Sequence, residues 1–211
     1  MGVHRAADLA HVASPSVSTG FACLDVELPG GGWPSGALTE ILPSHEGIGE
    51  LRLIGPALAQ LSKRKRRLVW IDPPYLPYGP ALSAAGIDPS MLLIARCEKE
   101  GLWAAEQCLK SASCGAVLLW PQKLRYIDLR RLQLAAANTT SLSFLFRPQR
   151  AAREQSPAAL RIALSAASGG LSLRILKRRG MTLTETLFIP SAPPYAVDRP
   201  VFPALRATVH A

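Results

Sequence analysis

Short apolar runs and amphipathic stretches take turns through most of this chain. Residues 37–42 alternate as a strand does, and residues 50–62 put Leu51, Ile54, Leu58 and Leu61 on one face at helical spacing. A short apolar run at 68–72 is stopped by Pro73 and Pro74. The pattern then predicts a helix over 80–86, a strand over 91–95, an amphipathic helix over 101–113 and a strand over 115–120 cut by Pro121. A helix over 126–138 and a fifth strand over 141–146 complete the series. Strands alternating with helices build βαβ units. The expectation is therefore an α/β fold whose twisted, mostly parallel sheet carries helices on both faces.

Beyond a polar, arginine-rich loop at 147–157, two more strands are predicted at 158–166 and 170–177. Ser168-Gly169-Gly170 between them signals a C-terminal antiparallel hairpin. Arg174, Lys177, Arg178 and Arg179 then read as charges protecting an edge strand. From Pro190 onward, five prolines in 22 residues predict an extended tail. The resulting organisation is a flexible leader at 1–16, one domain at 17–189 and a proline-rich tail at 190–211, with no internal repeat.

Composition narrows the classes. With 211 residues, 48% of them apolar, the chain can bury one ordinary domain core. A charged fraction of 18% argues against disorder throughout. The longest apolar runs, such as Ala116 to Trp120, are far short of a bilayer span, and the N-terminus carries no apolar signal core, so a cytoplasmic protein is expected, without a membrane partner. Twenty-four Lys and Arg against 15 acids give a formal charge of +9, which favours polyanions, nucleic acid first, over a basic surface kept only for solubility. Cys23, Cys97, Cys108 and Cys114 form no C-x-x-C pair, and with scattered histidines they predict buried free thiols, no metal and no cofactor.

The N-terminal third carries a recognisable signature. Ser18-Thr19-Gly20 followed by Leu24-Asp25, then Gly31-Gly32-Trp33-Pro34-Ser35-Gly36 and Glu40-Ile41, resembles the opening of the RecA core. The likeness continues through Ile71-Asp72 and Gly86-Ile87-Asp88 and covers about residues 16–180. Within that superfamily the chain resembles ImuA, the accessory proteins of bacterial mutagenic translesion synthesis, with the division inhibitor SulA as a neighbouring relative. The resemblance implies a RecA-like core and a scaffold role in SOS-induced error-prone synthesis. The partners it implies are an ImuB-type polymerase-like protein and the error-prone C-family polymerase, with RecA and single-stranded DNA as further candidates. Two alternatives stay open: a SulA-like inhibitor that binds FtsZ, and an active RecA-type ATPase.

The ATPase alternative conflicts with the residues. A phosphate loop of the form G-x-x-x-x-G-K-[ST] needs backbone amides, a lysine and a hydroxyl. The corresponding stretch is Pro43, Ser44, His45, Glu46, Gly47, Ile48, Gly49 and Glu50, with no lysine between Thr39 and Gln60. Pro43 supplies no amide donor, and Glu46 and Glu50 oppose a phosphate by about 4 kcal/mol per close contact at an effective dielectric near 20. Pro74 stands where the family has the acid that polarises water, and no aspartate ends the strand before Pro121. Asp72 reads as a strand-end cap. Ser44, His45 and Glu46 are reactive types, but adjacent residues seldom face one another. A degenerate nucleotide site and no enzyme are expected.

Three regions are candidates for contacts. Arg147, Arg150 and Arg153 follow the fifth strand, at the carboxyl end of the sheet where open α/β folds bind ligands, and the resemblance implies DNA contact there. Lys63, Arg64, Lys65, Arg66 and Arg67 form a second candidate DNA contact, at the opposite end of the sheet. Tyr195, Val197, Val201, Phe202 and Leu205 in the tail are spaced as anchors for a partner groove. Trp33 would be a further anchor if exposed, although packing against the first helix is the favoured reading.

Overall fold

The computed structural model describes residues 15–137, 139–180 and 186–190. The strand predicted over 37–42 becomes β3 (Ala37–Pro43), seven residues long and buried on both faces for most of its length. Around it run α2 (Glu50–Lys63), β4 (Arg67–Ile71), α3 (Gly79–Ala84), β5 (Leu92–Ala95), α4 (Gly101–Lys110), β6 (Cys114–Leu119), α5 (Tyr126–Ala136) and β7 (Leu142–Phe146). Then come β8 (Leu160–Ala167), β9 (Gly170–Lys177) and β10 (Thr186–Pro190). Upstream lie β1 (Ser16–Val17), α1 (Ala22–Asp25) and β2 (Trp33–Pro34), with β1 and β2 paired as a small ribbon.

The large sheet has eight strands in the order β10-β9-β8-β3-β7-β6-β4-β5. The six strands from β8 to β5 pair in parallel, and β8-β9 and β9-β10 pair antiparallel. The α/β architecture and the hairpin are as expected. One expectation is corrected. β10 pairs with Gly170–Arg174 of β9, so Arg174 does not guard a bare strand. Lys177 donates to the Ser156 carbonyl at 2.8 Å, and Arg178 pairs with Glu27 at 3.2 Å.

Strand side chains alternate between two cores. On one face Leu68, Trp70, Leu118 and Phe144 meet the α2 stripe of Leu53, Ile54, Leu58 and Leu61. On the other, Val69, Ile71, Val117 and Leu145 meet Ala105 and Leu109 of α4 and Leu129 and Leu132 of α5. Trp33 is fully buried with its ring edge-on to Phe144 at 5.2 Å, so it is a core residue and no anchor. The cysteines depart from their expectation. Cys114 is buried, Cys97 and Cys108 are half-buried, and Cys23 is exposed. No helix among the described residues is long and apolar enough to cross a membrane.

The signature turn is built for closeness. Asp25 accepts from the Ser18 hydroxyl at 2.7 Å and the Thr19 N–H at 2.8 Å, which folds the Ser-Thr-Gly turn over α1. Gly20, at φ +84, lets this turn lie on Pro56 of α2; a Cβ there would sit 2.5 Å from the proline's own Cβ. A second close approach positions the carboxyl edge of the sheet. Asp72, in a left-handed conformation just after β4, accepts the Cys97 N–H at 2.7 Å, and a Cβ on Gly101 would meet its other oxygen at 2.3 Å. Gly101→Ala should therefore cost about 1–3 kcal/mol through overpacking. In the Asp72→Ala background the cost should shrink, giving a non-additive double-mutant cycle in urea unfolding. Strictly additive losses would show that the two residues do not press on one another.

Candidate functional site

Because six strands are parallel, the loops after them gather along one edge and enclose a cleft of about 1050 Å³. The loop between β3 and α2 lines one side. Gly49 enters α2 with φ +100, and this turns backbone N–H groups toward the first residue of the helix. That residue is Glu50. Its carboxylate accepts from the Gly49 N–H at 3.2 Å and the Gly47 N–H at 3.4 Å, and it is almost wholly buried. A helix N-terminus with free amides is a ready anion site. Here the chain's own carboxylate occupies it.

The rest of the loop is tied or exposed. Pro43 completes β3, the Ser44 N–H donates to the Leu164 carbonyl at 2.8 Å, and Ile48 packs against the core. Ser44, His45, Glu46 and Gly47 are exposed. Ser44 Oγ and His45 Nδ1 lie 3.1 Å apart, so these neighbours do meet, against the sequence expectation. No acid is hydrogen-bonded to the His45 ring among the described residues. Across the cleft, Pro74 and Pro121 line the wall. Trp120 stacks on Phe146 at 4.5 Å with the rings 5° from parallel, and leans on Trp70 at 5.7 Å. This half-buried aromatic was missed in the sequence, since only strand neighbourhood brings Trp120 and Phe146 together.

The arginine loop is built on a buried charge cluster. Glu40, in the middle of β3, has no solvent exposure. Arg161 of β8 donates to it at 2.6 Å, Ser156 at 2.9 Å and Arg147 at 3.4 Å. Arg147 also pairs with Glu154, and Arg161 donates to the Ala151 and Glu154 carbonyls at 2.7 and 3.0 Å. These bonds fix the 3-10 turn Gln149–Arg153 against the end of the sheet. The expectation for Arg147 as a DNA contact is thus corrected: its guanidinium is buried and committed to two carboxylates. Arg150 and Arg153 are exposed on the turn, without an ion-pair partner among the described residues.

Beside that turn lies a smaller depression lined by Lys123, Arg125 and Arg150 together with Asp128 and Glu154. Lys123 and Arg125 were also missed. Their signal was two cations following the proline that ends a parallel strand. Arg125 caps α5, and its guanidinium and backbone N–H hold the Asp128 carboxyl below its ordinary value of 3.8 against the opposing effect of burial.

The basic run at 63–67 lies at the other edge and is divided. Lys63 and Arg64 are exposed at the end of α2, and Arg67 begins β4 with its side chain exposed. Lys65 pairs with Asp88 at 3.2 Å, and Arg66 donates to the Cys114 carbonyl at 3.0 Å. The structure therefore places Arg150 and Arg153 on the turn after β7, Arg150 at the smaller depression, and leaves the 63–67 run apart. Tyr195, Val197, Val201, Phe202 and Leu205 lie outside the described residues.

No protein-family model matches the chain. Among curated proteins it is similar to the cell division inhibitor SulA of Edwardsiella piscicida, with 34% identity over 99 residues. The match takes in 46% of this chain and spans 59% of that relative's length.

The buried cluster generates a stability prediction. Glu40→Ala leaves Arg147 and Arg161 without their shared carboxylate inside the protein, and should cost about 3–5 kcal/mol in urea unfolding. A loss below about 1 kcal/mol, the range of exposed pairs, would show that water reaches the cluster.

Proposed function

We propose that this chain is a non-catalytic, RecA-like binding module of the SOS response that scaffolds error-prone translesion synthesis. The observation that carries the non-catalytic part is Glu50. A phosphate at the α2 N-terminus would have to displace a carboxylate already held by the loop amides, and the loop itself carries no lysine to offset the charge. Pro74 and Pro121, in the loops after β4 and β6, add to this, since neither provides an acid for water or magnesium. The active ATPase reading is correspondingly weak.

In this role the protein holds an ImuB-type polymerase-like protein and the error-prone C-family polymerase near a primer terminus. RecA and single-stranded DNA are further partners of the same reading. The support for the SOS assignment is the similarity to SulA. That similarity equally favours a second reading, a division inhibitor acting on FtsZ. The formal charge of +9 and the exposed Arg150 and Arg153 favour a role near nucleic acid.

DNA contact is tested directly. Arg150→Ala with Arg153→Ala should weaken single-stranded DNA binding and flatten the slope of log affinity against log salt by up to ~1.4. An unchanged slope would remove the turn from any DNA surface. The choice of partner is tested by recovering the tagged chain from DNA-damaged cells, with and without nuclease. Nuclease-resistant recovery of the polymerase-like protein or the error-prone polymerase supports the scaffold reading. Recovery of FtsZ in their place would move the protein to division control.

A further inference from the structure

Away from the cleft, α4 and α5 cover the second core and run side by side, both starting at the carboxyl edge. Arg131 of α5 donates to Glu106 of α4 at 2.7 and 3.0 Å, which sets their relative height. Their inward faces are apolar, as a surface helix requires. Their outward faces are apolar too. Ten large hydrophobic side chains are strongly exposed among the described residues, and four of them, Trp103, Tyr126, Ile127 and Leu134, belong to this helix pair. Trp103 lies three residues before Glu106 and Ile127 four before Arg131, so both sit about one turn above the bridge. Leu134 continues the α5 stripe at i+7 from Ile127 and lines a groove between the helices with Lys110 and Arg131.

Within the two helices the unmatched charges are of one sign, although Glu100 at the head of α4 is exposed. Their two acids, Glu106 and Asp128, are buried and satisfied by Arg131 and Arg125. Arg130 and Lys110 are exposed and have no ion-pair partner among the described residues. An apolar stripe edged by unmatched cations complements one kind of occupant. We propose that the outer face of α4 and α5 is a docking surface for an acidic amphipathic helix of a protein partner. Such a helix would lay its apolar stripe along Ile127 and Leu134 and set its carboxylates against Arg130 and Lys110. Tyr75, Leu76 and Tyr78 form a second exposed apolar stretch, in the segment just before α3.

The test uses the full chain and two labelled synthetic peptides with the same leucine stripe at helical spacing. One carries glutamate at the remaining positions, the other lysine. Fluorescence anisotropy should give saturable micromolar binding of the glutamate peptide alone, weakening as salt rises past about 0.15 M. Ile127→Ser with Leu134→Ser should weaken it by about tenfold or more. Arg130→Glu, which leaves the apolar stripe intact, should weaken it as well and steepen the preference against acidic peptides. Equal binding of the lysine peptide, binding unchanged in the variants, or none up to millimolar concentration would overturn the proposal. Displacement of the peptide by a single-stranded oligonucleotide would assign the face to nucleic acid instead. Self-association in sedimentation, abolished by the serine variant, would assign it to a second copy of the chain. Each of these outcomes is independent of which protein the intact chain recovers from damaged cells.

Discussion

A carboxylate without access to water, set in the middle strand of the sheet, must be neutralised where it stands. Glu40 is that group, and Arg147 and Arg161 neutralise it from the two strands or strand ends that flank β3. Isolated burial of an ion would cost several kcal/mol, so neither arginine can leave without the others becoming a liability. With Glu154 the cluster carries two charges of each sign. The remaining guanidinium donors go to the carbonyls of Ala151 and Glu154, and so the cluster also decides where the turn bearing Arg150 and Arg153 sits. An ionic core thus presents a cationic surface at a fixed place on the carboxyl edge.

Glu50 follows the same logic one loop away. A helix N-terminus and two turned amides invite an anion, and the chain supplies one of its own. The carboxyl edge, where open α/β sheets commonly hold ligands, is thereby left as a shaped surface of prolines, the Trp120–Phe146 stack and a rim of cations. Glu50 fills the α2 N-terminus and is bonded to the amides of the loop that frames it, so the same contacts fill the site and hold its shape.

Much of the architecture was legible because central parallel strands such as β6 and β7 are buried on both faces and read as mostly apolar runs, while α2, α4 and α5 show their stripes. Less was legible where pairing is made at long range. The ribbon of Ser16–Val17 with Trp33–Pro34 is too short to show a period, and Thr186–Pro190 becomes a strand only through its register with β9. The arginines show the limit for site residues. Arg147, Arg150 and Arg153 look alike in sequence, yet the backbone N–H of Arg147 still bonds to Ile41 of β3, and this directs its side chain inward toward Glu40, which lies far away along the chain. Likewise the run at 63–67 reads as one patch, whereas a left-handed Lys65 turns it and splits its charges between Asp88 and Cys114.

We propose that Glu50 excludes phosphate from the N-terminus of α2. This is tested most directly by titrating the intact chain with a fluorescent ATP analogue in the presence of magnesium. No saturable binding is expected at micromolar concentrations. Saturable micromolar binding that unlabelled ATP reverses would contradict the proposal, and would return the cleft to nucleotide chemistry.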